Sequence, residues 1–302
     1  MIEGFFLGTS SMFPTQNRSQ SCLFVRHGPE NILFDCGEGT QRQMRIAGLS
    51  PMKLTRIFVS HWHGDHTLGL GGIIQSLSAS GRTAKLQIYG PVGTSARIEH
   101  IIKSFSFDLR FKIETIDLII KEGTQKVVDE AEFYVIAMPL RHIIPCLGYA
   151  FVEKGRRKIN IEYVKKTLGI EQHPILGKLQ KGKTITFNGK KVTPAKATFL
   201  TPEKKLTYIV DTQYFDGLKK LAKESDALVC EATYCEDMES KALKYTHLTA
   251  RQAAKLAKES KAKKLYLTHF SQRYASLKPL EDEAKKIFTD VVLAKDFMGF
   301  NV

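Results

Sequence analysis

Ser60-His61-Trp62-His63-Gly64-Asp65-His66 places three histidines and one aspartate within six positions. Imidazole nitrogens and a carboxylate suit zinc, so the first chemistry these residue types suggest is metal binding. The cluster follows Leu54-Thr55-Arg56-Ile57-Phe58-Val59, an apolar, β-branched run that predicts a buried strand of a parallel sheet. Gly64 allows a tight bend, and Thr67-Leu68-Gly69-Leu70-Gly71-Gly72-Ile73-Ile74 predicts the start of a buried helix. A strand end opening onto a helix is where α/β folds place their ligands. His61 and His63, two apart on extended backbone, point to one side. Asp65 and His66, beyond the glycine, can turn toward a second point nearby. Four potential ligands here are too many for one open catalytic zinc once distant ligands are added, so two metals are expected. An inert surface cluster of histidines is the alternative, and the density at a strand end argues against it.

The pattern resembles the H-x-H-x-D-H signature of the metallo-β-lactamase superfamily. That resemblance implies an α/β fold, an αββα sandwich of two mixed sheets with helices on both outer faces and a metal pair at one edge. Upstream, Gly8-Thr9-Ser10-Ser11-Met12-Phe13-Pro14-Thr15-Gln16-Asn17-Arg18 is a polar loop, and Asp35-Cys36-Gly37-Glu38-Gly39-Thr40-Gln41-Arg42-Gln43-Met44 has two glycines for close backbone approach. Thr40 is the expected N-cap of the helix that follows. These two stretches narrow the resemblance to the ribonuclease Z family, endonucleases that trim the 3′ trailer from precursor tRNA.

The remaining elements must bring further ligands to the same edge. Strands are expected over Ile2 to Leu7, Ser21 to Arg26, Asn31 to Phe34, Lys85 to Tyr89, Phe111 to Ile120 and Glu132 to Met138. The last delivers His142. Thr94 can cap a helix with Ile98, Ile101, Ile102 and Phe105 on one face. In the second half, Lys205 to Val210 delivers Asp211, a helix is expected over Tyr214 to Ser225, and Ala227 to Val229 leads into Cys230-Glu231-Ala232-Thr233. His247 precedes a helix with Ala250, Ala253, Ala254 and Ala257 on one side, and Lys264 to Leu267 ends at His269. Four strand ends thus supply His or Asp at one edge: residues 61–66, His142, Asp211 and His269. Carried over residue by residue, the resemblance implies one zinc held by His61, His63 and His142, another by Asp65, His66 and His269, and Asp211 bridging the two. It also implies Asp65 as general base and His247, oriented by Glu231, as the donor to the departing ribose oxygen. Relatives often have histidine at the position of Cys230 and serine at that of Leu248; the groups with proton chemistry, Glu231 and His247, remain.

Net charge is +14, with 43% hydrophobic and 25% charged residues. Residues 154–191 hold eleven Lys/Arg against Glu162 and Glu171, and so nine of those fourteen charges. Their sparse apolar residues predict a short helix and a hairpin rather than a core. The resemblance implies a flexible arm inserted here into a single domain spanning 1–302, gripping the tRNA. A polycationic segment fits a polyanionic partner. No apolar run reaches membrane-spanning length, no secretory h-region follows Met1, and five irregularly spaced cysteines argue for a reducing, cytoplasmic setting. The expected activity is removal of the 3′ trailer from precursor tRNA, leaving a 3′-hydroxyl on the tRNA and a 5′-phosphate on the trailer, by a homodimer with two zinc ions per subunit. The rivals are another phosphodiesterase or hydrolase of the superfamily, which needs no basic arm, and a non-catalytic RNA-binding relative, which needs no complete ligand set.

Overall fold

A computed structural model describes residues 1–302, which divide into two compact units, one formed by 1–152 with 205–302 and the other by 153–204. The larger unit is built on two seven-stranded sheets. In the first, the strand order is Gly299–Asn301, Glu3–Gly8, Cys22–His27, Glu30–Phe34, Arg56–Phe58, Leu86–Pro91 and Ile113–Leu118. Its early strands pair antiparallel, and the pairs from Glu30–Phe34 onward are parallel. The second runs Val291–Leu293, Leu265–Thr268, Ala227–Glu231, Lys204–Ile209, Cys146–Glu153, Phe133–Leu140 and Gln125–Asp129. Its last four strands in sequence pair parallel, and its first two pair antiparallel. Both sheets are therefore mixed.

Three apolar clusters explain the layering. Phe6, Phe34 and Phe58 of the first sheet pack with Tyr149, Phe151, Tyr208 and Tyr266 of the second, so the inner faces close on each other. Tyr149 buries its ring in this layer and donates its hydroxyl to the Val59 carbonyl at 2.7 Å, tying the sheets together beside the histidine cluster. On the outer face of the first sheet, Met44, Ile73, Ile74, Leu77 and Ile98 come from the helices Thr40–Ile46, Gly69–Ala79 and Thr94–Ser104. On the outer face of the second, Leu218, Leu221, Ala253, Ala254, Ala257, Leu280 and Ala284 come from Leu218–Ala222, Ala250–Glu259 and Lys278–Lys285. The result is the αββα sandwich.

Local readings need correction in three places. The caps of two helices are Gly39 (φ 74°) and Gly93 (φ 93°), not Thr40 and Thr94. The two threonine hydroxyls instead donate backward to the carbonyls of Gly37 and Pro91, at 2.7 Å each, and brace the preceding turns. The helix expected over Tyr214 to Ser225 is only Leu218–Ala222. All five cysteines are free and buried, and no helix is long and apolar enough to cross a membrane.

The smaller unit has a core of its own, which the composition of 154–191 does not suggest. Val164, Leu168, Leu176, Leu179, Ile185, Val192 and Ala197 are buried together, the last two lying beyond that stretch. Asn160 caps the helix Ile161–Leu168 by accepting from the Tyr163 amide at 3.0 Å, and Gly169 (φ 72°) ends it. Asn188-Gly189, both with positive φ, turn the hairpin Ile185–Phe187 to Lys190–Val192.

Candidate active site

The edge of the sandwich collects the sequence-predicted residues from four strand ends. The bend after Arg56–Phe58 carries His61 to His66, and two hydrogen bonds clamp it: the Cys36 amide to the His66 carbonyl (2.8 Å) and the Gly69 amide to the Cys36 carbonyl (2.9 Å). Approach this close requires glycine, because a Cβ on Gly69 would lie 2.1 Å from the Gly37 carbonyl oxygen. His142 follows Phe133–Leu140. Asp211 and His269 follow Lys204–Ile209 and Leu265–Thr268 with left-handed φ of 50° and 59°. Such backbone is strained for residues with a Cβ, and it turns both side chains toward the cluster.

Two groups of donor atoms result, sharing Asp211. In one, His61 Nε2 lies 2.9 Å from His63 Nδ1 and 3.1 Å from Asp211 Oδ2, and His142 Nε2 lies 3.2 Å from His63 Nδ1. In the other, His66 Nε2 lies 3.3 Å from His269 Nε2, 3.4 Å from Asp65 Oδ2 and 3.3 Å from Asp211 Oδ2. His269 Nε2 stands 3.0 Å from Asp211 Oδ1. Each group of four offers one atom per residue, all within 4.8 Å of one another.

Four rings are oriented from behind. His66 Nδ1 is 2.7 Å from Asp35 Oδ2, an acceptor, so its proton sits on Nδ1. Ser60 Oγ gives its proton to Asp35 (2.9 Å) and so accepts from His61 Nδ1 at 3.0 Å. Thr233 Oγ1 donates to Glu231 Oε2 (2.6 Å) and accepts from His269 Nδ1 (2.9 Å). Thr246 Oγ1 is 2.6 Å from both the Tyr245 carbonyl, to which it donates, and His142 Nδ1. With Nδ1 protons directed outward, the Nε2 lone pairs of all four rings face inward, as metal ligands require. Sequence reasoning misses Asp35, Ser60, Thr233 and Thr246 as orienting groups; it marks the Asp35 stretch for its glycines, for Thr40 and for the resemblance it carries, not for the carboxylate.

His247 and Glu231 pair beside these donor groups, and with Asp211 and His269 they make a further set of donor atoms within 4.8 Å of one another. His247 Nδ1 is 3.1 Å from Glu231 Oε2, and 3.9 Å from Asp211 Oδ1. Glu231 is fully buried and also accepts from the Thr212 amide at 2.7 Å. Burial disfavours a charged His247, but the Glu231 carboxylate outweighs it and lifts the ring above the usual histidine range. Asp65 Oδ2 accepts from the Met12 amide at 2.7 Å and opens onto a cleft of about 590 Å³, lined by Phe13, His63, His142, Asp211 and His247.

The donor set fits dications. Asp211 Oδ1 is buried without a hydrogen bond, although His269 Nε2 lies 3.0 Å away. Burial opposes charge throughout, yet Asp65 and Asp211 are held far below the usual carboxylate range by the histidines around them. Conversely, burial resists but Asp211 lifts His269 to about 10, and Asp65 lifts His66 well above normal. The buried carboxylates demand positive charge on the inward-facing nitrogens, which a cation satisfies in place of a proton. This supports metal dependence.

Two family models match the chain: one described as a β-lactamase superfamily domain over residues 167–270, and one described as anti-Pycsar protein Apyc1 over residues 2–137. The chain is 40% identical over 262 residues to a ribonuclease Z of Methanothermobacter thermautotrophicus, covering 86% of this chain and 83% of that protein. It is 39% identical over 266 residues to a ribonuclease Z of Pyrococcus furiosus, again covering 86% and 83%. The crystal structure of human tRNase Z, short form, superposes with a TM-score of 0.72 at 30% identity, covering 99% of this chain and 98% of that one.

Proposed function

The chain belongs to the ribonuclease Z family, tRNA 3′-processing endoribonucleases with the metallo-β-lactamase fold, and from that premise we propose how this site cuts precursor tRNA. The observation that carries the reading is the pair of four-residue donor groups sharing Asp211 at the floor of an open cleft. His61, His63, His142 and Asp211 would hold one zinc ion, and Asp65, His66, His269 and Asp211 a second. When bound, two such dications supply Lewis acidity, acidifying water and neutralising charge that develops on a phosphodiester.

The chain's own groups move the protons. Asp65, unprotonated and anchored by the Met12 amide, takes the proton of the attacking water. The new P–O bond forms as the P–O3′ bond breaks. His247, charged through its contact with Glu231, gives its proton to the departing 3′ oxygen. The products are a tRNA with a 3′-hydroxyl and a trailer with a 5′-phosphate. Glu231 is a positioning residue: it touches His247 and not the substrate.

Further parts of the proposal concern partners. The basic 154–191 segment grips the tRNA, since its eleven cations have only two acidic residues among them. The protein works as a cytoplasmic homodimer; exposed Ile46 and Met52 beside Arg42 and Arg45, lining a cleft of about 790 Å³, support a self-association face. A small-ester hydrolase of the same fold would need no such arm. Incubating the purified protein with a 3′-extended precursor tRNA and mapping the cut tests the reading. Failure to cut with metal present overturns it.

A further inference from the structure

A second recess of about 330 Å³ opens beside the metal cleft. Met12, Phe13, Tyr245 and His247 line both, so His247 stands between them. The residues found only in the recess are of another kind. Arg273 is exposed, with Cζ 5.2 Å from the centroid of the Tyr234 ring, and its polar contacts are to Ser271 Oγ (3.1 Å) and Met238 Sδ (2.9 Å) rather than to a carboxylate. Lys241, half-buried, likewise has no acidic partner. Phe13 is 50% exposed and Tyr245 45%, leaving aromatic surface open. Unneutralised cations beside open aromatic rings suit a nucleotide, whose base stacks while its phosphate meets the charge.

Which nucleotide follows from the chemistry of the cut. The oxygen that leaves phosphorus is the 3′ oxygen of the nucleotide retained on the tRNA, not of the trailer. A group that protonates this oxygen stands at the ribose carrying it. The recess beyond His247 therefore lies on the retained side of the broken bond. We propose that it binds the nucleotide left at the 3′ end of the tRNA, its base against Tyr245 and Phe13 and its 5′ phosphate facing Arg273 and Lys241. The assignment rests on the reading of His247 as the proton donor in a tRNA-cleaving enzyme.

A binding cycle tests it without any cleavage. A tRNA ending in 3′-hydroxyl at the retained nucleotide, and the same tRNA one nucleotide shorter, are each titrated against the metal-loaded parent, Tyr245→Ala, Tyr245→Phe and Arg273→Ala. The terminal nucleotide is expected to tighten binding to the parent and to Tyr245→Phe by about tenfold, the order that base–aromatic stacking supplies. For Tyr245→Ala it should add about twofold or less. A shortened tRNA carrying a 3′-phosphate restores the phosphate alone, and should discriminate the parent from Arg273→Ala but not from Tyr245→Ala. Thermal unfolding of each variant checks that it is folded. Equal gains from the terminal nucleotide in the parent and a folded Tyr245→Ala overturn the subsite, as does coupling of Tyr245 to the first trailer nucleotide instead. Mapping the cut by the parent in parallel separates the two ideas. A correct cut without coupling removes only the subsite, whereas no cut removes the enzyme reading beneath it.

Discussion

Glu231 Oε2 lies 3.1 Å from His247 Nδ1, with the carboxylate sealed from solvent and the imidazole partly open to the cleft. The same oxygen accepts from Thr233 Oγ1, whose other neighbour is His269 Nδ1. One buried carboxylate thus fixes the proposed acid directly and one proposed metal ligand through a hydroxyl.

Glu231→Gln should separate these duties. With its one oxygen turned toward Thr233 and His247 the amide still accepts from both and gives up the Thr212 amide, but its lost charge no longer favours imidazolium, so the His247 pKa falls. A general acid works only while protonated, so the alkaline limb of kcat should move to lower pH. At neutral pH the rate should drop, within the roughly 10²–10⁴-fold that general acid–base groups supply. Metal content should stay near that of the parent. A pH–rate profile with elemental analysis reads both; an unmoved limb would refute the pairing.

Asp35→Asn probes the group behind His66. Asp35 accepts from the Ser60 amide (2.7 Å), Ser60 Oγ (2.9 Å), Tyr208 Oη (2.9 Å) and His66 Nδ1 (2.7 Å), all buried. Asparagine keeps one acceptor oxygen, and its amide nitrogen accepts none, so it cannot receive all four. Removing such a partner behind a metal-binding histidine costs about 10–100-fold in metal affinity. Competition titration with a chelator should show the loss chiefly at the group containing His66.

His142→Ala and His269→Ala should strip different positions. Each side chain belongs to only one of the two proposed zinc-holding groups. Each variant should therefore lose about one ion per chain and most of its activity, and strong chelation of the parent should abolish cleavage. A fully active parent holding one tightly bound ion at most would sink the two-metal reading.

What the sequence made legible was whatever is written locally. The histidine cluster sits within six residues, and strand ends are marked by β-branched runs, so the candidate donors could be read before any contact was known. Asp35 and Thr246 were not readable in the same way. They reach His66 and His142 from 31 and 104 residues away, and Thr246 does so from a left-handed backbone (φ 57°) that nothing nearby demands. The first sheet closes between the termini, where Glu3, Gly4 and Phe5 pair with Asn301, Phe300 and Gly299. Three-residue strands such as Gly299–Asn301 are too short to show a period. The core of the smaller unit escapes a local reading for a related reason, since Val192 and Ala197 complete it only after the chain folds back.

That core decides how the basic arm should be removed. Cutting within 156–183 would leave Ile185, Val192 and Ala197 without their partners. The strands Arg157–Ile159 and Thr198–Leu200 pair antiparallel, and just outside them the Thr201 amide reaches the Arg156 carbonyl at 2.8 Å. A short glycine linker can therefore join Arg156 to Thr201, excising 157–200 whole. The three apolar clusters of the larger unit contain none of the excised residues, so that unit should still fold. The excised stretch holds ten Lys/Arg against two glutamates. Each tRNA phosphate that the arm no longer neutralises should flatten the log–log salt dependence of binding by roughly 0.7–0.9. Precursor tRNA should bind more weakly and less salt-sensitively, while bis(p-nitrophenyl) phosphate, which needs only the metal cleft, should still be hydrolysed. A small-ester hydrolase would show no effect of excision on either substrate, and a non-catalytic relative would hydrolyse neither before or after it. If the excised protein bound precursor tRNA as tightly as the parent, with the same salt slope, the grip would have to lie on the larger unit.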